Sequence, residues 1–213
     1  SNIASRDLDK ELIDILLQVI RKNSKYGFVW KFENQNFENM PSNLLTSKWL
    51  PQADLLAHKN VKLFISQCGQ QSIEEAIDRL VPIICIPFLG DQPGIAKKLE
   101  QKGVAHLIEL EAVTEDELDF AISEMMKPFY TENIKRLREQ VYDQPMSSRE
   151  KAVWWVEYVL RHKGAKHLAY PGRLVPFYQK YCLDFIAIAI VSVFIARIIV
   201  KLILKKKKKS KIE

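Results

Sequence analysis

The chain alternates short apolar runs with longer amphipathic segments between residues 7 and 162. Apolar residues recur at helical spacing, so the pattern predicts helices over residues 7–22, 52–58, 70–80, 94–102, 114–126, 129–141 and 147–162. Compact apolar runs predict strands over residues 26–32, 45–49, 61–66, 82–87 and 104–109. Short strands that alternate with helices indicate βαβ units with right-handed connections. We therefore expect an α/β fold built on a doubly wound parallel sheet.

Local signals support the ends of several predicted helices and indicate where a ligand would bind. Thr114 precedes Glu117 by three residues, which is the spacing of a capping box. Gly103 follows helix 94–102, where glycine is a typical C-terminal cap. Ligands of doubly wound folds bind at the carboxyl ends of the strands. The expected site therefore lies in the loops at residues 49, 66–69 and 87–92.

A long apolar segment follows the helix–strand pattern. Residues 181–204 are predominantly apolar, and a bilayer needs about 20 residues of helix. Five lysines occupy positions 205–209, and the positive-inside rule assigns such an end to the cytoplasm. We predict a folded domain over 1–163, a juxtamembrane connector over 164–180, a transmembrane helix over 181–204 and a basic cytoplasmic tail over 205–213. The alternative is an ordinary buried helix, but a helix that is apolar on every face and is followed by a lysine block is hard to bury in a domain this small.

The distribution of charge argues against a nucleic-acid-binding body. The net charge is +6, but the stretch from Arg197 to Glu213 holds eight basic residues and one acidic residue. Residues 1–196 therefore carry a net charge of −1, whereas nucleic-acid-binding domains have a basic face on the folded body. The cysteines and histidines lack metal-ligand spacing, so we predict no metal site. Cys68 and Cys85 fall in core segments, where we expect free thiols that act as small apolar residues.

The two ends of the chain indicate its context. The first residues lack the basic-then-apolar layout of a signal peptide. We expect the chain to begin within a larger protein or to be a truncated product. Residues 209–213 resemble the Lys-x-Lys-x-x retrieval signal of endoplasmic-reticulum membrane proteins, although a lysine-rich tail can match it by chance.

Residues 49–92 carry the functional signal, and they read WLPQADLLAHKNVKLFISQCGQQSIEEAIDRLVPIICIPFLGDQ. This stretch resembles the signature of the UDP-glycosyltransferase family, which includes the animal UDP-glucuronosyltransferases and the plant secondary-metabolite glycosyltransferases. The matching positions are Trp49, Pro51, Gln52, Leu56, His58, Phe64, Cys68, Gly69, Ser72, Glu75, Val81, Pro82, Pro87, Asp91 and Gln92. Residues 154–165 also resemble the segment that the animal enzymes place before their membrane helix. The resemblance implies the Rossmann-like C-terminal half of a two-domain glycosyltransferase of the B type.

The resemblance implies contacts to the base, the ribose and the sugar of a UDP-sugar. Trp49 would stack on uracil, and Gln52 would bond to the edge of the base. Glu75 would accept the ribose hydroxyls. Asp91 and Gln92 would hold hydroxyls of the donor sugar. The alternatives are a core aromatic for Trp49, a helix-start residue for Gln52, a solvated helix residue for Glu75 and a helix N-cap for Asp91.

The diphosphate would lie at the start of helix 70–80. Gly69 opens this helix, whose free N–H groups and positive end suit an anion, and Ser72 adds a hydroxyl. Gln67 stands where the family usually has a phosphate-binding His, so phosphate neutralisation would rest on the helix end and donor affinity would be weaker. Gln71 stands where the plant enzymes have Asn. These four residues complete the predicted UDP-sugar site.

Two further departures from the family pattern lie beside the site. Leu80 replaces the Gly that precedes Val-Pro, which we expect to alter only a turn. Ile95 replaces an Asn, which removes one polar group near the sugar. We expect these changes to leave the fold intact while leaving room for a less active or donor-shifted member.

The resemblance implies an enzyme that transfers a sugar from UDP-glucose or UDP-glucuronate to a small lipophilic acceptor, with no cofactor. Gln67 and the Asp91–Gln92 pair look closer to invertebrate members, which often use UDP-glucose. The family's catalytic His and its orienting Asp belong to the N-terminal half, so we assign no catalytic residue here. We expect a detoxifying enzyme of the endoplasmic-reticulum membrane that forms homo- or hetero-oligomers. The rivals are a non-catalytic membrane protein that binds UDP or modulates full-length relatives, and an unrelated nucleotide-binding α/β protein.

Overall fold

The computed structural model describes residues 8–33 and 39–209, with the backbone alone for 203–209. The predicted helix start at Asp7 and the retrieval-like residues 210–213 lie outside these ranges. The described chain divides between Pro145 and Met146 into two compact units. The first unit holds all five described strands, so it contains the sheet on which the predicted site depends.

All strand pairs in the first unit are parallel, as predicted. Strand β1 (Phe28–Lys31) pairs with β2 (Leu44–Ser47). Strand β4 (Ile83–Cys85) lies between β3 (Phe64–Ser66) and β5 (Ala105–Leu107). The described strands thus form a two-stranded and a three-stranded sheet. The described helices of the first unit are α1 (Lys10–Lys22), α2 (Gln52–Leu56), α3 (Gln70–Asp78), α4 (Gln92–Gln101), α5 (Glu115–Met125) and α6 (Pro128–Tyr142).

Strand β4 shows why helices cover both faces of the sheet. Successive side chains of a strand point to opposite faces. Ile83 and Cys85 pack in one core with residues of α3, α4 and α6, whereas Ile84 and Ile86 pack in a second core with residues of α1 and α5. The strand residues Ile83–Cys85 are fully buried, which explains why the run reads as continuously apolar. This two-sided packing is the doubly wound arrangement.

A side-chain amide fixes the position of the β1–β2 pair against α1. Asn43 donates from Nδ2 to the carbonyl oxygens of Ile20 and Tyr26, each at 2.9 Å. The first of these carbonyls lies in the last turn of α1, where carbonyl groups lack helical partners. Asn43 directly precedes β2, and Phe28 donates its N–H to the carbonyl of Asn43 at 2.8 Å. These bonds position the strand that leads to Trp49.

Several element ends differ from the predicted ones for local reasons. Helix α2 ends at Leu56, two residues before the predicted end at His58. Helix α4 begins at Gln92, because Pro93 suits the first helical turn and has no N–H to satisfy. Leu80, which replaces a family glycine, has φ +60°, a conformation that glycine adopts most easily. Its side chain packs partly against the core beside α3, which offsets part of the strain.

The second unit contains the predicted membrane segment. Helix α7 (Ser148–Arg161) begins with a complete capping box, in which Ser147 and Glu150 exchange side-chain and backbone bonds. After the short helix α8 (Phe177–Lys180), helix α9 runs from Leu183 to Lys209. The helix thus continues through the lysines that we predicted as a tail. Among the described residues, only the Leu183–Leu202 stretch of α9 is long and apolar enough to cross a membrane, with a mean hydropathy of 2.5.

Candidate functional site

Three segments that follow parallel strands of the first unit carry the predicted site residues. The segment after β2 carries Trp49, the β3–α3 loop comprises residues 67–69, and the β4–α4 loop comprises residues 86–91. Because β3 and β4 are parallel neighbours with Ser66 opposite Cys85, the latter two loops leave the sheet side by side. The predicted location at the carboxyl ends of these strands therefore matches the observed architecture.

A cleft of about 260 Å³ lies between the β3–α3 and β4–α4 loops. The lining residues come from both loops and from the first turns of the helices that follow them. They are Ser66, Gln67, Gly69, Gln70, Gln71, Ser72, Asp91 and Gln92. Six of the nine predicted site residues therefore line one cleft. Ser66 and Gln70 were not predicted, although both neighbour predicted residues in the sequence.

The start of α3 faces this cleft without a capping side chain. Gly69 is the N-cap residue and has no side chain with which to bond the free N–H groups of the first turn. A Cβ atom built at Gly69 would meet no atom within 4 Å, so the space beside it is open. The φ of Gly69 is −68°, which any residue adopts. The glycine thus leaves room for close approach to the helix end and is not needed for backbone geometry.

Gln52 joins the start of α2 to the first two turns of α3. Its Nε2 donates to Glu75 Oε2 at 2.8 Å and to Ser72 Oγ at 3.2 Å. The bond holds the Glu75 carboxylate beside Ser72, which lines the cleft. Gln52 therefore bonds to α3 in addition to starting α2, and the Glu75 carboxylate has a hydrogen-bond partner within the protein. Both were predicted site residues, but their mutual bond was not predicted.

The two residues at the start of α4 have different surroundings. Gln92 accepts at Oε1 from the N–H groups of Phe88 (2.8 Å) and Leu89 (3.2 Å), so its acceptor stabilises its own loop. Its Nε2 is the group that remains to donate to a ligand. Asp91 occupies the N-cap position of α4, but its carboxylate makes no capping hydrogen bond. Among the described residues that line the cleft, Asp91 is also the only charged one.

Trp49 is exposed and does not line the cleft. Its relative exposure is 72%, which contradicts the alternative that it is a core aromatic. Ser47 donates its hydroxyl to the Trp49 carbonyl at 2.8 Å, which fixes the backbone just after β2. The indole is thus presented from an anchored segment to solvent. Its predicted stacking on uracil stays a prediction.

The prediction of free thiols at Cys68 and Cys85 was wrong. The two residues form a disulfide with a Cα–Cα distance of 5.4 Å. Cys68 lies in the β3–α3 loop and Cys85 ends β4, and both are fully buried. Because β3 and β4 are adjacent, two cysteines near their carboxyl ends come within bonding reach. The prediction of free thiols treated each cysteine as a separate core residue and did not consider that their strands pair.

Comparisons with known proteins agree with these features. Residues 11–211 match the family model described as UDP-glucoronosyl and UDP-glucosyl transferase. UDP-glucosyltransferase 2 of Dactylopius coccus is 41% identical over 178 residues, which cover 83% of this chain and 34% of that protein. UDP-glucuronosyltransferase 2B17 of Rattus norvegicus is 37% identical over 194 residues, which cover 87% of this chain and 37% of that protein. The chain spans about a third of the length of these curated relatives.

Solved structures show the same fold. A variant of Os79 from O. sativa, in complex with UDP, aligns with a TM-score of 0.60 and 26% identity over 72% of this chain and 38% of that one. This likeness confirms the predicted Rossmann-like α/β fold of B-type glycosyltransferases. Since the family model matches all but the first ten and last two residues, the chain belongs to the UDP-glucoronosyl and UDP-glucosyl transferase family.

Proposed function

We propose that this chain forms the donor-binding part of a UDP-glycosyltransferase that uses UDP-glucose or UDP-glucuronate. The observation that carries the proposal is the open cleft at the uncapped start of α3, which also contains Asp91 and Gln92. The variant of Os79 from O. sativa, which shares this fold at 26% identity, was solved in complex with UDP, and this supports a uridine nucleotide as the ligand.

The diphosphate binds beside Gly69 in this proposal. Free N–H groups at a helix start and the positive end of the helix dipole attract anions. The open space at Gly69 lets a phosphate approach the backbone closely. Ser72 and Gln67 line the same cleft and supply neutral hydrogen-bonding groups. Glu75, one turn further along α3, accepts the ribose hydroxyls with a carboxylate that Gln52 already orients.

The ends of the donor contact the other two loops. Trp49 stacks on the uracil ring, and stacking of a base on an aromatic side chain contributes about 1–3 kcal/mol. Asp91 accepts hydroxyls of the sugar, because its carboxylate is not used for helix capping. Gln92 donates from Nε2, since its Oε1 is occupied by the β4–α4 loop. The segment after β2 thus contacts the base, the β3–α3 loop contacts the diphosphate, and the β4–α4 loop contacts the sugar.

In the proposed reaction, an oxygen of a small lipophilic acceptor attacks the anomeric carbon with inversion. The acceptor loses its proton to a base, and the bond to UDP breaks. The uncapped start of α3 stabilises the negative charge of departing UDP, which is electrostatic catalysis by oriented backbone dipoles. We assign no catalytic base in this chain, and the base would come from the part of a full-length relative that the chain does not span. The chain alone is therefore expected to bind donor without turnover.

We further propose that α9 anchors the protein in the endoplasmic-reticulum membrane, with the lysines in the cytoplasm and the first unit in the lumen. The mean hydropathy of Leu183–Leu202 and the lysines that follow support this orientation. The Cys68–Cys85 disulfide adds support, because disulfides persist in oxidising compartments. Protease added to sealed microsomes tests the orientation. Digestion of the first unit without detergent would refute a lumenal location.

Calorimetric titration of the detergent-solubilised chain with UDP tests the donor site. We expect binding, and we expect Trp49→Ala to weaken it about tenfold through loss of stacking. Glu75→Gln should weaken UDP binding by a similar factor, because it removes a charged acceptor of the ribose hydroxyls. Glu139→Gln, on α6 and outside the cleft, is the matched control. Absence of UDP binding by the folded chain refutes the proposal, as does equal weakening of ADP binding by Trp49→Ala.

A glycosylation assay then separates donor binding from catalysis. If the chain binds UDP-glucose but transfers no sugar to a panel of lipophilic phenols and steroids, it acts as a donor-binding part. Recovery of transfer after fusion to the N-terminal portion of a relative would identify it as part of an enzyme. Failure of such a fusion, despite intact donor binding, would favour a non-catalytic UDP-binding protein.

A further inference from the structure

The disulfide joins the two loops that line the cleft. Cys68 lies in the β3–α3 loop directly before Gly69, and Cys85 is the last residue of β4, which leads into the β4–α4 loop. The Cα–Cα distance of 5.4 Å lies within the ordinary range for disulfides, about 4.4–6.8 Å. Each cysteine is fully buried, so neither side chain reaches into the cleft itself.

The bond lies where the β3–β4 ladder ends. Ile86 donates its N–H to the carbonyl of Ser66 at 2.9 Å, and beyond this bond the chain turns into α3 on one side and α4 on the other. The disulfide joins Cys68, two residues after Ser66, to Cys85, the residue just before Ile86. It is therefore a covalent tie at the point where the two loops leave the sheet.

Cys68 also determines how the β3–α3 loop enters α3. Its φ is +61°, a conformation that residues with a side chain adopt rarely. Two interactions favour that conformation: the bond from the Cys68 N–H to Ser66 Oγ at 3.2 Å, and the disulfide that holds the side chain in the core. The chain direction at Cys68 sets the start of α3 at Gly69. Fixing Cys68 thus fixes the helix end that faces the cleft.

We propose that the Cys68–Cys85 disulfide is a positioning element of the donor site, which holds the start of α3 at a fixed separation from Asp91 and Gln92. This inference rests on the proposed function. A UDP-sugar would contact both loops, through its diphosphate and its sugar, whereas UDP would contact only the β3–α3 loop of the two. Opening the disulfide lets the loops move apart, so a ligand that bridges them must order them on binding. Reduction therefore weakens UDP-glucose binding more than UDP binding.

The first measurement establishes the state of the bond in the full chain. The chain has three cysteines, and Cys182 is free. After denaturation without reductant, iodoacetamide should modify one thiol, and after reduction it should modify three. A water-soluble phosphine supplies the two electrons: the S–S bond breaks, two thiols form with protons from water, and the phosphine becomes its oxide. Modification of three thiols without reductant overturns the proposal.

The second measurement compares dissociation constants for UDP and UDP-glucose before and after phosphine treatment. We expect reduction to weaken UDP-glucose binding about fivefold relative to UDP, the lower end of typical coupling between sites. Cys182→Ser should behave as the parent does. The double variant Cys68→Ala, Cys85→Ala should bind like the reduced parent and should not respond to phosphine. Thermal unfolding of each form confirms that it is folded at the assay temperature.

The outcomes separate this inference from the proposed function. An equal effect of reduction on UDP and UDP-glucose, or no effect on either, overturns the positioning role while leaving donor binding intact. Failure of the oxidised parent to bind either ligand overturns the proposed function, and the positioning role falls with it. A selective loss of UDP-glucose affinity in the reduced parent and in the double variant supports both.

Discussion

Replacement of Gly69 by alanine should separate the stability of the fold from the ability of the cleft to bind a diphosphate. The backbone at Gly69 has φ −68° and ψ 143°, which alanine adopts without strain, and an added Cβ meets no atom within 4 Å. Loss of a glycine lowers the entropy of the unfolded chain and stabilises the fold by about 0.4–1 kcal/mol. Alanine is a poorer N-cap than glycine by roughly 0.5–1 kcal/mol. The two effects offset each other, so the free energy of unfolding should change by less than about 0.5 kcal/mol.

The same substitution should weaken UDP binding clearly. The methyl group would occupy the open space through which a phosphate reaches the free N–H groups at the start of α3. Loss of one hydrogen bond to a charged group corresponds to about 1.5–3 kcal/mol. That range is about tenfold to one-hundred-and-fifty-fold in the dissociation constant. A large loss of affinity with little loss of stability is the signature of a ligand that lies against Gly69.

Calorimetry with UDP and thermal unfolding followed by circular dichroism, both in the same detergent, measure the two quantities. Gly27→Ala is the matched control, because a Cβ at Gly27 also meets nothing within 4 Å and Gly27 lies outside the cleft. The control should leave affinity unchanged and should stabilise the fold by about 0.4–1 kcal/mol, because no loss of an N-cap offsets the lower entropy of its unfolded chain. If Gly69→Ala binds UDP within twofold of the parent, the diphosphate does not lie against the start of α3, and the donor-site geometry proposed above is refuted.

Two further predictions concern single hydrogen-bonding groups. The Tyr142 hydroxyl donates to Asp78 Oδ1 at 2.6 Å, and this hydrogen bond lowers the pKa of the Asp78 carboxyl. The bond therefore stabilises the fold fully above the ordinary Asp pKa, and this stabilisation is lost as pH falls through the lowered pKa of Asp78. Tyr142→Phe should therefore destabilise the fold by about 0.5–1 kcal/mol at pH 7. The difference in unfolding temperature between variant and parent should shrink below about pH 4. An unchanged difference at pH 3 would contradict the reasoning. Gln67→His places a titratable group in the cleft, so UDP affinity should rise as pH falls from 8 to 6 in the variant alone, because only the protonated imidazole adds a charge beside the diphosphate. A parallel pH profile in the parent would exclude that explanation.

The sequence pattern predicted the parts of the fold that depend on short-range regularity. The run from Pro82 to Pro87 is apolar at every position because β4 is buried on both faces, and its strand character follows directly. The predicted N-cap at Thr114 also formed, since its hydroxyl accepts from the Glu117 N–H at the start of α5. The Glu117 carboxylate bonds to His106 instead of the Thr114 backbone, so only one of the two bonds of the predicted capping box is present. The predicted parallel pairing followed from alternation of strands and helices. All of these features are set within a few neighbouring residues or by a general rule of chain connection.

Contacts between distant residues could not be predicted in the same way. Gln52 and Glu75 are 23 residues apart, and whether their side chains meet depends on how α2 packs against α3. The orientation of Gln92 depends on a choice between its own loop and solvent, which the sequence alone does not decide. The disulfide required two cysteines to be placed at the carboxyl ends of adjacent strands with the correct register. The sequence therefore indicated which residues gather at the site, whereas packing determines which groups remain available for a ligand.

The charge of the cleft makes its geometry more important for anion binding. Residues 1–196 carry a net charge of −1, and Asp91 is the only charged residue that lines the cleft in the part of the chain that the structure describes. A general attraction of the folded body for anions, which a basic domain would exert over roughly a Debye length of about 8–10 Å, is therefore not available. The start of α3 acts only over the first turn of the helix, because the helix dipole effect falls off within that distance. In the proposed site, a diphosphate must then come into direct contact with the backbone at Gly69, and we expect any movement of that backbone relative to Asp91 to change the affinity. No cationic side chain lines the cleft among the described residues, so the diphosphate of the proposed site must approach the backbone closely and at a fixed position. The absence of a side chain at Gly69 permits the close approach, and the disulfide at Cys68 fixes the position.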